Sequence, residues 1–173
     1  PPHRRSTSLG VGLGTMIDFE AGWRAVPGWL SPTDGAAIQA AVKRAPASTS
    51  VVELGAGCGR SLACICEALP TGVNVYSYDC YPENSQAFEG AEGPAPIPAT
   101  VARKLWELTR THWQDKGCVI TLRPQDSVNG GKLFQGPPVS VLFVDSHHSE
   151  LHVRAELAAW SRSLASSCTI LFH

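Results

Sequence analysis

Asp145, His147 and His148 follow the apolar run VSVLFV, Asp79 follows the alternating run VNVYSY, and Asp126 with Ser127 follows VITLR. A carboxylate beside an imidazole can hold and move a proton near neutral pH. A carboxylate closing a strand about 20 residues beyond a glycine loop can accept hydrogen bonds from a ribose diol. Glu53 lies in a further apolar run, SVVEL, and is followed by Gly55, Gly57 and Gly59. Glycines this dense form either a ligand cradle or a tight strand-to-helix turn. The loop reads E-x-G-x-G-x-G, not G-x-G-x-x-G, and it lacks G-K-[ST]. That spacing favours a nucleoside without pyrophosphate over a phosphate ligand.

These residues need elements to position them, and the periodicity supplies a consistent set. Ser31, Pro32 and Asp34 make a helix start with a capping serine, a first-turn proline and an acid three residues on, predicting a helix over about 33–44. SVVEL is a short strand, and Leu62, Ile65, Cys66 and Leu69 recur at helical spacing after the glycines. VNVYSYD is a second strand, 82–98 a surface loop rich in Pro, Gly and Glu, and 99–113 a helix with Val101, Leu105 and Leu108 on one face. CVITLRPQDS holds the third strand, VSVLFVD the fourth, SELHVRAELAAWSRSL a helix and CTILF the fifth strand. VSVLFV is apolar but for Ser140, as expected of a strand covered on both faces. Strands alternating with helices predict a doubly wound, mainly parallel α/β sheet with ligands at the carboxyl ends of its strands. Glu53 and the glycines, Asp79, Asp126 with Ser127, and Asp145 with His148 then share one rim.

The 173 residues, 43% hydrophobic and 17% charged, suffice for one domain with a real core over 26–173, preceded by an N-terminal arm over 1–25. A formal net charge of −1 without a long basic run gives no nucleic-acid footprint. No apolar stretch is long enough for membrane insertion. Six cysteines without C-x-x-C pairing read as reduced thiols of an intracellular compartment. That compartment is cytoplasmic or organellar, the basic, serine-containing start matching either a fragment boundary or a processed targeting segment. Trp23, Trp29, Trp106, Trp113 and Trp160 read as core or interface anchors.

Three segments together, GWLS at 28–31, ELGAGCGRS at 53–61 and FVDSHHS at 143–149, resemble the class I S-adenosylmethionine-dependent methyltransferase superfamily. More narrowly, they resemble its branch with a GWLS helix, an E-x-G-x-x-x-G-R-S loop and an F-x-D-G-x-H-S segment. The resemblance covers about 26–173 and implies a Rossmann-like sheet of which five strands are visible, incomplete at its C-terminus. It implies that Glu53, Gly55, Gly57 and Gly59 surround the methionine part of the cofactor, S-adenosylmethionine. Asp79 then binds the ribose, and Asp126 with Ser127 lies by the adenine. Asp145 faces the methyl group, and His148 matches the family histidine that can act as a general base. In some relatives this aspartate and an acid beyond the fifth strand hold a divalent cation such as Mg²⁺, and a hard cation there lowers the pKa of a bound hydroxyl. Here that metal ligand is Asp145, and the sequence stops at His173 where relatives commonly read F-H-D. Ser146 replaces the usual glycine, and His147 a residue often acidic in relatives.

Two functions fit this reading. The first is methyl transfer to an oxygen or nitrogen of a small-molecule acceptor, with Asp145 and His148 as the catalytic pair. The second is a catalytically inactive, methyltransferase-like structural or interaction subunit, in which a protein partner or self-association covers the fifth strand.

Overall fold

A computed structural model describes residues 17–81, 86–87 and 97–173. The expected arm lies mostly outside the described residues, but its last part does not behave as an arm. Two single 3-10 turns, Phe19–Ala21 and Trp23–Ala25, bury Trp23 in the core. The backbone N–H of Trp23 donates to Glu67 at 2.5 Å, which fixes this turn to a helix well along the chain. Most of the expected 82–98 loop also lies outside the described residues. Within it, strands β3 (Gln86–Ala87) and β4 (Ile97–Pro98) pair antiparallel.

Helix α1 (Pro32–Val42) starts as its sequence dictates. Ser31 Oγ accepts from Asp34 N at 3.2 Å, and Asp34 Oδ2 accepts from Ser31 N at 3.3 Å, a reciprocal capping box with proline in the first turn. Strand β1 (Ser50–Leu54) is buried throughout, and so is β6 (Val139–Val144). Their neighbours are β2 (Asn74–Tyr78), β5 (Val119–Arg123) and β7 (Leu164–Phe172). The order is β5-β2-β1-β6-β7 with every pair parallel, so β1 and β6 have neighbours on both sides and helices over both faces.

The period-2 alternation of each strand splits the core in two. Val51, Val75, Val141 and Phe143 face one layer with α1, α2 (Arg60–Glu67) and α3 (Ala99–Asp115). Val52, Leu54, Leu142 and Val144 face the other, with α4 (Ser127–Leu133) and α5 (Glu150–Trp160). Each layer is centred on a fully buried tryptophan, Trp106 in the first and Trp160 in the second. Burying such a side chain is worth roughly 4–6 kcal/mol before the entropy of ordering it is counted. Both indole N–H groups are satisfied, Trp106 by Ser77 Oγ at 3.1 Å and Trp160 by Ser127 O at 3.0 Å.

The doubly wound α/β sheet is therefore the observed architecture, with two further departures from the expected elements. The fifth strand, expected over 168–172, runs from Leu164, taking in the LASSC stretch. Helix α4 was not expected at all. Its sequence, SVNGGKL, is poor in helix formers. It forms because Asp126 caps it, accepting from Asn129 N at 2.9 Å, and because its glycines are packed close. A Cβ on Gly130 would lie 2.6 Å from the Tyr78 ring, and one on Gly131 2.8 Å from Trp160.

Candidate functional site

The carboxyl ends of the central strands open into a cleft of about 860 Å³. Its floor is the glycine loop between β1 and α2. Gly55, Gly57 and Gly59 all have positive φ, of 91°, 48° and 88°. Gly55 is the tightest, since a Cβ there would sit 2.1 Å from the carbonyl oxygen of Asp145. The loop can therefore pass beneath the end of β6 only as glycine.

Asp79, at the end of β2, grips this loop. Its Oδ2 accepts from the backbone N–H groups of Ala56 and Gly57, both at 3.0 Å, and its Oδ1 accepts from Tyr81 N at 2.9 Å. Tyr81 completes the brace by donating its hydroxyl to Gly57 O at 2.9 Å. Tyr81 carries no motif, and only its place two residues past the strand end could have pointed to it. The cleft is lined by Gly55, Gly57 and Asp79 but not by Glu53. Glu53 is fully buried beneath the loop, where Ser61 and Ser77 donate their hydroxyls to its two oxygens. Burial pushes its carboxyl up to about 8, against the opposing pull of those two hydroxyls. The structure thus places Glu53 as a support of the loop rather than a wall of the cleft.

On the β5 side, Asp126 and Ser127 line the cleft at the start of α4. Ser127 and Ser146 both donate to Oε1 of Glu156, a carboxylate on α5 with no exposed surface. His152 Nε2 lies 3.2 Å from Ser127 Oγ and 3.4 Å from the same Glu156 oxygen. Glu156 is one helical turn from His152, a spacing visible in the sequence only once the helix register is known. It accounts for the serine at position 146, whose hydroxyl bonds Glu156 at 2.5 Å.

Asp145, at the end of β6, faces two imidazoles. His173 Nδ1 is 3.1 Å and His148 Nε2 3.4 Å from its Oδ1. Burial raises the Asp145 carboxyl above its ordinary value, and the two histidines pull the other way. His148 is the outer partner, with 67% of its side chain exposed, against 27% for His173. His173 also reaches to 3.8 Å from Asp34 Oδ2, linking the end of β7 to the capping box of α1. It closes its strand as Asp79 and Asp145 close theirs, so the rule that found those two finds His173 as well. The expected divalent cation finds no such support. Among the described residues no three His, Cys, Asp or Glu side chains are grouped to hold a metal ion, and Asp145 has imidazole neighbours where a hard cation needs further oxygens.

The chain matches known proteins most clearly over this region. Residues 52–173 match the family model described as a methyltransferase domain. No curated protein matches it in sequence. Among solved structures, it is similar to the O-methyltransferase of Bacillus cereus in complex with S-adenosylhomocysteine (19% identity, TM-score 0.57), covering 83% of this chain and 57% of that one. It is also similar to the O-methyltransferase of Streptomyces achromogenes involved in tomaymycin synthesis, in complex with S-adenosylmethionine (14%, TM-score 0.55, 83% and 56%). A third is a S-adenosylmethionine-dependent methyltransferase of Geobacter sulfurreducens, bound to S-adenosylhomocysteine (16%, TM-score 0.53, 83% and 48%). At these identities the likeness is one of fold, and the chain spans about half the length of the structures it resembles.

Proposed function

The chain belongs to the methyltransferase-domain family, and on that premise we propose that its cleft binds S-adenosylmethionine and directs methyl transfer to an oxygen or nitrogen of a small-molecule acceptor. The observation that carries this reading is the convergence of Asp79, the glycine loop, Asp126 with Ser127, and Asp145 on one cleft. Its volume lies within the range of small-molecule sites. The residues suit a nucleoside cofactor without phosphates. The loop amides that would cradle a phosphate are turned onto Asp79, and Asp79 keeps one lone-pair site open, on Oδ1, for a ribose hydroxyl. Glu53 supports the loop from below, and Asp126 with Ser127 closes the adenine end.

When bound, the cofactor supplies a methyl group on a positively charged sulfur. Asp145 faces that group and orients His148. His148 Nε2 lies 3.4 Å from Asp145 Oδ1, and a neutral His148 carrying its proton on Nε2 has Nδ1 to take the acceptor's proton. The exposure of His148 supports a proton transfer at the mouth of the cleft. The chain's formal charge of −1 favours a small acceptor over a nucleic acid. Oxygen is favoured as the accepting atom because the similar structures include O-methyltransferases.

Calorimetric titration of the folded chain with S-adenosylhomocysteine tests the reading. We expect micromolar binding, lost by at least tenfold in Asp79→Ala. A folded wild-type chain that binds neither S-adenosylmethionine nor S-adenosylhomocysteine would rule it out.

A further inference from the structure

A second pocket, of about 330 Å³, lies where β2 and β5 meet helix α4. Its volume is at the lower end of the range for small-molecule sites. Tyr76 and Tyr78 stand two apart on β2 and so point to the same face of the sheet. Their rings belong to a packed chain of four. Tyr76 stands edge-on to Phe134 at 5.0 Å, Phe134 lies 5.1 Å from Trp160, and Trp160 meets Tyr78 edge-on at 5.1 Å. Two glycines leave room for this packing. A Cβ on Gly130 would press on the Tyr78 ring, and one on Gly136 on the Phe134 ring.

The hydroxyls at the tips of these two tyrosines have no use in the fold. Tyr78 is only 3% exposed, yet neither its hydroxyl nor that of Tyr76 has a hydrogen-bond partner among the described residues. A buried tyrosine ordinarily finds one. Arg123, on β5, also lines the pocket, and among the described residues no carboxylate comes within ion-pair distance of it. Burial raises the Tyr78 hydroxyl to about 12 while the Arg123 charge pulls it down, so the guanidinium stands near that hydroxyl. Gln125 and Gln135 complete the polar lining, and no acid among the described residues joins them.

We propose that this pocket is a second binding site, separate from the cleft, for a small aromatic carboxylate. One guanidinium matches one carboxylate through two parallel hydrogen bonds, and the tyrosine hydroxyls add donors beside it. A cation would be repelled by Arg123 with no acid to hold it. The rings of Tyr76 and Phe134 offer faces and edges to a planar apolar body, which a bare anion would leave unused. The ligand is not the methyl acceptor. Strand β1 stands between this pocket and Asp145 on β6, whereas an acceptor must reach the methyl group that Asp145 faces. Tyr78 and Gln125 form a wall common to the pocket and the cleft, but binding here does not depend on whether the cleft takes the cofactor.

Titrations followed by amide chemical shifts would compare benzoate, its neutral counterpart benzamide and inorganic phosphate on the whole chain. Benzoate is expected to move the amides of Gly130 and Gly136 saturably, and to bind about 10- to 100-fold more tightly than benzamide, the range of a charge-assisted hydrogen bond. Arg123→Gln should abolish that preference. Tyr78→Phe, which removes an unpartnered hydroxyl and keeps the ring, should weaken benzoate by about 3- to 10-fold. Saturating S-adenosylhomocysteine should leave benzoate binding in place. The proposal fails if the Gly130 and Gly136 amides do not move, if Arg123→Gln binds benzoate as the wild type does, or if S-adenosylhomocysteine displaces benzoate, which would put it in the cleft. Phosphate binding as tightly as benzoate would overturn the aromatic part and leave a bare anion site. Should Arg123→Gln fail to fold, equal wild-type affinities for benzoate and benzamide would still overturn the proposal. A wild type that binds benzoate here but no S-adenosylhomocysteine would defeat the cofactor reading and leave this site standing.

Discussion

Asp79 shows how one carboxylate can serve the fold and the ligand at once. It holds the glycine loop through two amides, so its removal releases the loop as well as a ribose contact. Asp79→Ala should therefore lose stability as well as affinity, and urea denaturation should show about 1–3 kcal/mol, the range for orphaned buried donors. Glu53 makes a prediction of opposite pH sense to the usual acid. Its carboxyl titrates near 4.5 when unfolded and near 8 when folded, so the folded state holds the proton more tightly. Its contribution to stability is complete below about pH 4.5 and is lost as the pH rises toward 8. Denaturation at pH 5 and pH 8 should show a smaller difference in Glu53→Gln than in the wild type. An unchanged difference would mean that Glu53 is ionised in the fold.

Among the elements, the place where the glycine loop after β1 passes the end of β6 is the most constrained. Gly55→Ala would place a methyl 2.1 Å from a backbone oxygen at a φ of 91°, neither of which a side-chain rotation relieves. We expect a loss of about 3 kcal/mol or more, measured by urea denaturation. Ser31→Ala, which removes one half of a capping box, should cost about 1 kcal/mol. The same two features explain which elements were legible in the sequence. SVVEL, VNVYSY, VSVLFV and the capped start of α1 carry their own signals of period, apolar run and cap. Helix α4 does not, because SVNGGKL owes its shape to Tyr78 and Trp160, which are distant in sequence. The early start of β7 was hidden likewise, since within LASSC only Leu164 has a partner on β6, Val139, and the register breaks before Thr169.

At the scale of the whole molecule, the strand-end rule made most of the candidate site legible. Asp79, Asp126, Ser127, Asp145 and His148 were found by it and share the cleft or its edge. Tyr81 and Glu156 were not singled out, because their roles depend on what they face rather than on where they stand. Glu53 was placed wrongly in depth, since a strand residue's face depends on sheet pairing. A ligand that fills this cleft should stabilise the whole domain. At a hundred times its dissociation constant, S-adenosylhomocysteine should add about 2.7 kcal/mol and raise the melting temperature by about 5–11 °C. A thermal scan showing no shift would indicate that the cleft does not take the ligand.

The central place of β1 also sets a timetable. Ser50 pairs with Asn74 on one side and with Val139 on the other. A ribosome adding 5–20 residues per second needs about 4–17 s to cover the roughly 85 residues between Leu54 and Val139. For that interval β1 and β2 have no β6 beside them, and a strand buried along its whole length in the finished fold waits with one edge open. The nascent chain is then most exposed to wrong pairing until β6 is made, so slower translation between β2 and β6 should raise the misfolded fraction while leaving the folded domain no less stable.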